Sequence, residues 1–191
     1  YYIDKETPYF KEYAKEFTDM PFLVRVEDIN DAVQPGRFLN AKDLGSKEDG
    51  ADFQTVLIDE TTNEIVVPNG TMGDRHTNPQ KWNLRLENRN TGAKIDPRLS
   101  VFDQRQDVTV VKLPYFGDEE HEGVIERAIP TITVQTVDGP VKVTTVYDLI
   151  LANYGIDRGI GGEVATAYTD DTPYTPTWQE KITGVKADIA I

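Results

Sequence analysis

The chain has 191 residues and a mass of 21.5 kDa, enough for one domain to bury a core without disulfide or metal cross-links. Hydrophobic residues make up 38% and charged residues 28%, as in a folded domain. A net charge of −13 argues against nucleic acid as a partner and against anionic lipid. The absence of cysteine excludes disulfides, thiolate catalysis and iron–sulfur ligation, and the apolar runs are too short for direct membrane insertion.

The two ends of the chain indicate an internal fragment of a longer protein. It begins on Tyr1 without an initiator Met and ends on the apolar-leaning run 187–191. We expect residues 1–191 to form a single domain. If its terminal segments normally pack against other protein, their apolar side chains predict self-association of the isolated fragment or fraying of its last residues.

In the first half of the chain, the patterns predict one helix and then short strands. Thr7-Pro8 is typical of a helix start, and aromatic and small residues recur at helical spacing up to Phe17. Residues 22–26 are predicted to form a strand, and 34–36, Gln-Pro-Gly, a turn. The further predictions here are a loop over 42–52, a hairpin of 55–58 with 64–67, a turn at 68–70 and a strand over 81–87.

In the second half, a strand is predicted over 107–112 and a hairpin joins 131–136 to 141–145. Asp138-Gly139 supplies the positive φ that a tight hairpin turn requires. Thr145 and Asp148 have capping-box spacing, which predicts a helix through Tyr154 closed by Gly155.

The chain then ends in short helical segments. Thr175-Pro176 predicts a helix with Trp178 and Ile182 facing inward and Gly184 at its end, followed by a helix start in 185–191. The elements together predict an α+β fold, rich in β-hairpins, with short helices near both ends and one after the Asp138-Gly139 hairpin.

Three patterns could carry a site, and for each we prefer a structural interpretation. The run 118–123, with His121, offers ligands for a hard cation but lacks the alternating Asp pattern of a calcium loop, which favours a solvated loop. His76 has no Ser or Cys nucleophile in a recognisable context, which favours a surface turn. Four glycines cluster after the predicted helix that ends at Tyr154: Gly155, Gly159, Gly161 and Gly162. Clustered glycines could cradle a phosphate, but these follow a helix and fit no nucleotide-binding fingerprint. We therefore interpret them as a flexible connection.

Two weaker signals are set aside. Asn69-Gly70-Thr71 matches a glycosylation sequon, but no secretory segment supports it. Tyr147 and Trp178 lie at core-compatible spacing, so we interpret them as packing residues. Composition and spacing therefore give an acidic α+β domain with no self-contained active site and with no residue assigned as catalytic, cofactor-binding or metal-binding.

A series of short runs along the chain carries a resemblance to one enzyme family. They are 17–24, 36–39, 66–73, 81–84, 113–116, 144–149, 152–155 and 174–180. In order and spacing they resemble the catalytic alpha subunit of membrane-bound respiratory nitrate reductase. His76 departs from the Trp expected in that family after Gly73-Asp74-Arg75, a difference confined to one turn.

The resemblance implies a piece of a molybdenum enzyme of the dimethyl sulfoxide reductase superfamily, which reduces nitrate to nitrite in anaerobic respiration. It implies bis-molybdopterin guanine dinucleotide and a 4Fe-4S cluster in the full-length subunit, an iron–sulfur beta subunit, a membrane gamma subunit and a cytoplasmic location at the membrane through them. The family's metal-binding motifs are not on this chain, so no cofactor is expected on it and the isolated chain is predicted to be inactive.

The run 182–185 resembles the point where the superfamily's cofactor-binding domain resumes, which makes the middle of the chain an intervening segment. Two hypotheses follow. The first is a non-catalytic segment that contacts the remainder of the alpha subunit. The alternative is a stand-alone acidic α+β binding or interaction module without enzymatic activity.

Overall fold

A computed structural model describes residues 8–70, 85–117 and 123–190, and within these ranges it confirms the predicted α+β class. The helices are α1 Pro8–Phe17, α2 Val146–Asn153 and α3 Pro176–Thr183, with short 3₁₀ turns at Ala51–Phe53 and Ala187–Ile189. The strands are β1 Leu23–Ile29, β2 Ala32–Phe38, β3 Leu57–Ile58, β4 Ile65–Val66, β5 Pro68–Asn69, β6 Arg85–Asn88, β7 Asp107–Pro114, β8 Val124–Thr136 and β9 Gly139–Thr145.

The main sheet is antiparallel, with the strand order β2-β1-β9-β8-β7. Its longest strand, β8, changes partner along its length: up to Thr131 it pairs with β7, and from Ile132 onward it pairs with β9. The edge strands β2 and β7 come within 8 Å of each other, so the sheet curls toward closure. The remaining described strands form two small antiparallel sheets of two strands each, β3-β4 and β5-β6.

Besides a small cluster of Phe22, Leu57, Val66 and Ile95, two larger apolar clusters form the core. The first consists of Leu23, Leu39, Val56, Ile58, Val101, Val134 and Val143. The second consists of Val111, Leu113, Tyr115, Ile125, Ile129 and Ala152, and the partly buried Trp178 packs against it. Val111 and Leu113 in β7 alternate with the exposed Lys112, as the period of two in a strand requires.

The predicted helix ends are confirmed where the structure describes them. The hydroxyl of Thr145 accepts a hydrogen bond from the Asp148 amide at 3.1 Å, and that of Thr175 accepts one from the Trp178 amide at 3.2 Å. Gly184 closes α3 with a φ of 73°. Thr7, predicted to cap α1, lies outside the described residues.

The predicted turn at 34–36 is wrong, because these residues lie inside β2. Pro35 pairs with Val26, and β2 is an edge strand, where a residue without an N–H is tolerated. The turn lies four residues earlier, at Asn30-Asp31, where φ is 55° and 62°. Positive φ at both central residues is the geometry that matches the twist of a two-residue hairpin.

Three smaller predictions are corrected in part. Pro68-Asn69 is not a turn but the short strand β5, and only Gly70 has a positive φ, of 86°. In the β8-β9 hairpin the positive φ belongs to Gly139 alone. Ile182 is 56% exposed, because the last turn of α3 faces away from the sheet. The strand predicted over 81–87 is confirmed from residue 85, and its first part lies outside the described residues.

The Asn30-Asp31 turn generates a paired prediction. Asp31→Gly should raise the free energy of unfolding by about 0.5 kcal/mol, because glycine adopts a positive φ without a Cβ clash. Asp28→Gly, the same substitution inside β1, should lower it by about 0.5–1 kcal/mol. Urea unfolding of the two variants measures both changes, and equal shifts of the same sign would contradict the turn assignment.

Candidate functional site

A buried carboxylate, that of Asp148 in the first turn of α2, is the most enclosed charged group in the described part of the chain. Its residue is 0% exposed. A charge removed from water is costly unless it is paired and hydrogen-bonded. Four donors surround it: Ser100 Oγ at 2.6 Å and Arg158 Nη1 at 2.5 Å on Oδ1, and the Val101 amide at 2.9 Å and Thr145 Oγ1 at 2.9 Å on Oδ2.

We call Ser100, Thr145, Asp148 and Arg158 the Asp148 cluster. Arg158 also donates to Ser100 Oγ at 2.8 Å and lies 4.3 Å above the ring of Phe102. Each carboxylate oxygen thus accepts two hydrogen bonds, one of them to Oδ1 from a cation. The enclosed carboxylate is fully paired, so the cluster fixes the start of α2 to two loops.

A second ionic cluster is centred on Asp43, at the start of the predicted loop 42–52. The Asp43 side chain is 6% exposed and accepts hydrogen bonds from Arg37 at 2.5 and 2.7 Å and from the Asn40 amide at 3.1 Å. Burial by itself raises the pKa of Asp43, but the hydrogen bonds from Arg37 and Asn40 together hold its pKa below the ordinary 3.8. Arg25 joins the pair at 3.2 Å, so this loop is ordered by charge.

Arg127 in β8 is a buried cation, with a side chain that is 1% exposed. Its guanidinium donates to the carbonyls of Glu163 and of Pro173, the latter at 3.1 Å, and the Glu163 carboxylate lies 3.7 Å away. Its Nε has no hydrogen-bond partner. Burial lowers the pKa of Arg127, and the nearby negative charge of Glu163 opposes that shift.

Of the four glycines in the predicted connection, Gly155 packs against this guanidinium, whereas a Cβ at Gly159 or Gly161 would meet nothing within 4 Å. A Cβ at Gly155 would lie 2.9 Å from the Pro173 carbonyl and 3.2 Å from Arg127 Nη2. Gly162 forms a bridge with Arg127. Gly155 therefore allows the backbone to approach a cation closely. A phosphate cradle would instead bring backbone N–H groups toward an anion.

Two open grooves lie at the surface. One, of about 890 Å³, runs between α1 and the β6 region, and its charged lining residues are Glu12, Lys15, Glu16, Arg85, Lys94 and Asp96. Three cations and three carboxylates alternate there, so the groove has no net field to select a charged ligand. The other, of about 480 Å³, lies along β7 and β8 and includes Val110, Val124 and Gly162.

The other candidate residues fall in different places. His76, the run 118–122 and Thr71 of the sequon lie outside the described residues, whereas Gly123 is exposed with a φ of 74°. Tyr147 is 9% exposed and packs against Phe10, and Trp178 makes an edge-to-face contact with Tyr174 at 5.0 Å. Both aromatic residues therefore pack as predicted.

The donor set of the chain does not fit the cofactors that the resemblance implies. There is no cysteine for an iron–sulfur cluster. Among residues 8–70, 85–117 and 123–190, no group of three His, Asp or Glu side chains converges to hold a metal ion. Nor does any helix in these ranges have the length and apolarity to cross a membrane.

Sequence reasoning missed the buried clusters. The Thr145 to Asp148 spacing gave the helix cap, but Ser100 lies 48 residues before Asp148 and leaves no periodic signal. Arg127 directly follows Glu126 in β8, and its carbonyl acceptors at Glu163 and Pro173 lie 36 and 46 residues further along the chain, so no local pattern marks it as buried.

The arrangement is that of an α+β segment whose buried charged side chains bind to groups of the segment itself. No protein-family model matches the chain. Over 191 residues it is 42% identical to the nitrate reductase alpha chain of Bacillus subtilis strain 168, covering 100% of this chain and 16% of that protein. The Escherichia coli K12 respiratory nitrate reductase 1 alpha chain is 38% identical over 97% of this chain and 16% of its own length.

The nitrate reductase alpha subunit of Mycobacterium tuberculosis H37Rv is likewise 38% identical over 100% of this chain and 15% of its own length. The chain spans about one sixth of the length of these relatives. The chain corresponds along its whole length to a segment of nitrate reductase alpha chains, which confirms the resemblance.

The first prediction from the site concerns Asp148. Asp148→Asn should lower the free energy of unfolding by about 3 kcal/mol, because it leaves the Arg158 guanidinium without its charged partner in a buried position. Asp49→Asn makes the same charge change at an exposed position and should change stability by less than about 0.5 kcal/mol. Equal denaturation midpoints for the two variants would show that the cluster is not stabilising.

The second prediction from the site concerns the pH dependence of the stability that Asp43 contributes. Since the pKa of Asp43 is lower in the folded chain than its ordinary 3.8, its contribution is present above that value and is lost as pH falls through the folded pKa. Asp43→Asn should cost about 1–2 kcal/mol at pH 7 and much less at pH 3. Urea unfolding at the two pH values tests this, and a cost independent of pH would refute the charge argument.

Proposed function

We propose that the chain is a non-catalytic segment of the molybdenum-containing catalytic subunit of a respiratory nitrate reductase, where it forms part of the protein shell around the cofactor. The observation that carries the proposal is similarity of 38–42% identity along the whole chain to one stretch of nitrate reductase alpha chains. The closed ionic clusters support the non-catalytic part, because buried, fully paired charges serve stability and not turnover.

In this proposal the chemistry lies elsewhere in the full-length subunit. The molybdenum cofactor would supply the two-electron reduction of nitrate to nitrite, and an iron–sulfur cluster would pass electrons to it. This chain has no cysteine for an iron–sulfur cluster, and its described residues form no metal-binding group. In this proposal those residues hold α2, the Gly-rich connection and the sheet in place. Its direct partner is the remainder of the alpha subunit, and the beta and gamma subunits would locate the complex at the membrane.

The proposal predicts a clear division of activity. The full-length subunit that contains this sequence should carry molybdenum and reduce nitrate with an artificial electron donor, whereas the 191-residue chain alone should do neither. Elemental analysis and a nitrite assay on both proteins measure this. Nitrite formation by the isolated chain would overturn the non-catalytic role, and a full-length protein without molybdenum would favour the stand-alone binding module.

In the full-length subunit, the Asp148→Asn variant tests whether the Asp148 cluster affects stability alone or catalysis as well. It should lower the melting temperature while kcat per bound molybdenum and the KM for nitrate change by less than about twofold, because the residue acts only on stability. Asp49→Asn is the matched control. A specific loss of kcat in stable, molybdenum-loaded Asp148→Asn protein would place the cluster in the catalytic machinery.

A further inference from the structure

Helix α1 presents a row of aromatic side chains to solvent. Tyr9, Tyr13 and Phe17 follow one another at intervals of four residues and are 76%, 50% and 51% exposed. Their rings also contact one another, with centroid distances of 6.0 Å for Tyr9 to Tyr13 and 5.4 Å for Tyr13 to Phe17. We call these three residues the aromatic stripe.

A neighbouring face of α1 is already packed against the domain. Ala14 is 1% exposed, Phe10 packs against Tyr147 with centroids 6.4 Å apart, and Lys15 forms a 2.5 Å ion pair with Asp96. These contacts fix the rotation of the helix about its axis. The aromatic stripe is therefore held facing away from the core and cannot be buried by turning the helix.

Three adjacent aromatic rings in water form an apolar patch that folded proteins usually cover. Aromatic residues are enriched at the centres of protein interfaces, where their area is buried with little loss of side-chain entropy. On the rest of the described surface, other large apolar side chains are also exposed, but the stripe combines three rings in mutual contact on one rigid element. It is a preformed docking surface.

We propose that the aromatic stripe docks onto an apolar surface in the remainder of the same alpha-subunit polypeptide, an inference that rests on the proposed function. Fully buried aromatic residues cover about 150–250 Å² each, so the exposed part of the stripe offers roughly 350 Å². A stable complex between separate proteins needs about 800 Å² on each partner. The stripe is too small to hold a separate partner alone.

A segment of the same polypeptide needs less area, because covalent linkage replaces a bimolecular association with an intramolecular one. In the homologous subunits about five sixths of the polypeptide lies outside the region that matches this chain, which supplies the required surface. A second copy of this chain is a poorer occupant, since each copy has a net charge of −13 and the two would repel.

The test compares chemical labelling of the stripe in two proteins. Hydroxyl-radical labelling with mass spectrometry should modify Tyr13 and Phe17 in the isolated chain and should modify them at least about 10-fold less in the full-length subunit. Unchanged labelling overturns the proposal. Light scattering runs alongside: a dimer of the isolated chain with a protected stripe would assign the surface to a second copy and overturn it too.

A variant gives an independent readout. Tyr13→Lys should lower the melting temperature of the full-length subunit by several degrees and leave that of the isolated chain within about one degree. Tyr168→Lys is the matched control, the same substitution at a tyrosine that is 48% exposed and outside the stripe. Equal destabilisation of the full-length subunit by both variants would contradict a specific role for the stripe.

Nitrate reduction by the unmodified full-length subunit separates this inference from the proposed function. An active subunit in which the stripe is labelled freely refutes the docking and leaves the function standing. An inactive subunit without molybdenum in which the stripe is protected refutes the function and leaves docking to the same polypeptide standing.

Discussion

The charge of Asp148, removed from water at the start of α2, constrains the rest of the structure. In a low-dielectric interior it is tolerated only if donors converge on it, and here they come from the β9 to α2 junction, from the loop at Ser100 and from the loop at Arg158. Each loop must therefore be in place before the carboxylate is stable. Local structure at three separate parts of the chain becomes one cooperative unit.

The same requirement operates at Arg127 with the sign reversed. A buried guanidinium needs acceptors, and it obtains them from the backbone carbonyls of the irregular segment after α2, which glycine allows to approach closely. An acidic chain with 20 basic residues thus places several of its arginines in internal pairs and leaves negative charge in excess at the surface.

How much of the fold and of the buried clusters the sequence predicts depends on how far apart in sequence the interacting residues lie. The cap at Thr145 and the β8-β9 hairpin follow from residues within a few positions of each other, so local patterns were sufficient. Pro35 was misassigned because a proline is a turn signal locally, whereas its place in β2 is decided by pairing with Val26 of β1. The Asp148 cluster joins residues 48 positions apart, and no local pattern encodes such a contact.

These features together explain why a well-packed segment can still be incomplete. Among the described residues, the buried carboxylates Asp43 and Asp148 are paired within the segment. Helix α1, by contrast, keeps three aromatic rings in water although another of its faces is packed. A protein that functioned alone would gain by replacing such a stripe with polar residues, because nothing in the core depends on it. Retaining it is favourable when the stripe is buried against more of the same polypeptide, as expected for one sixth of a large subunit.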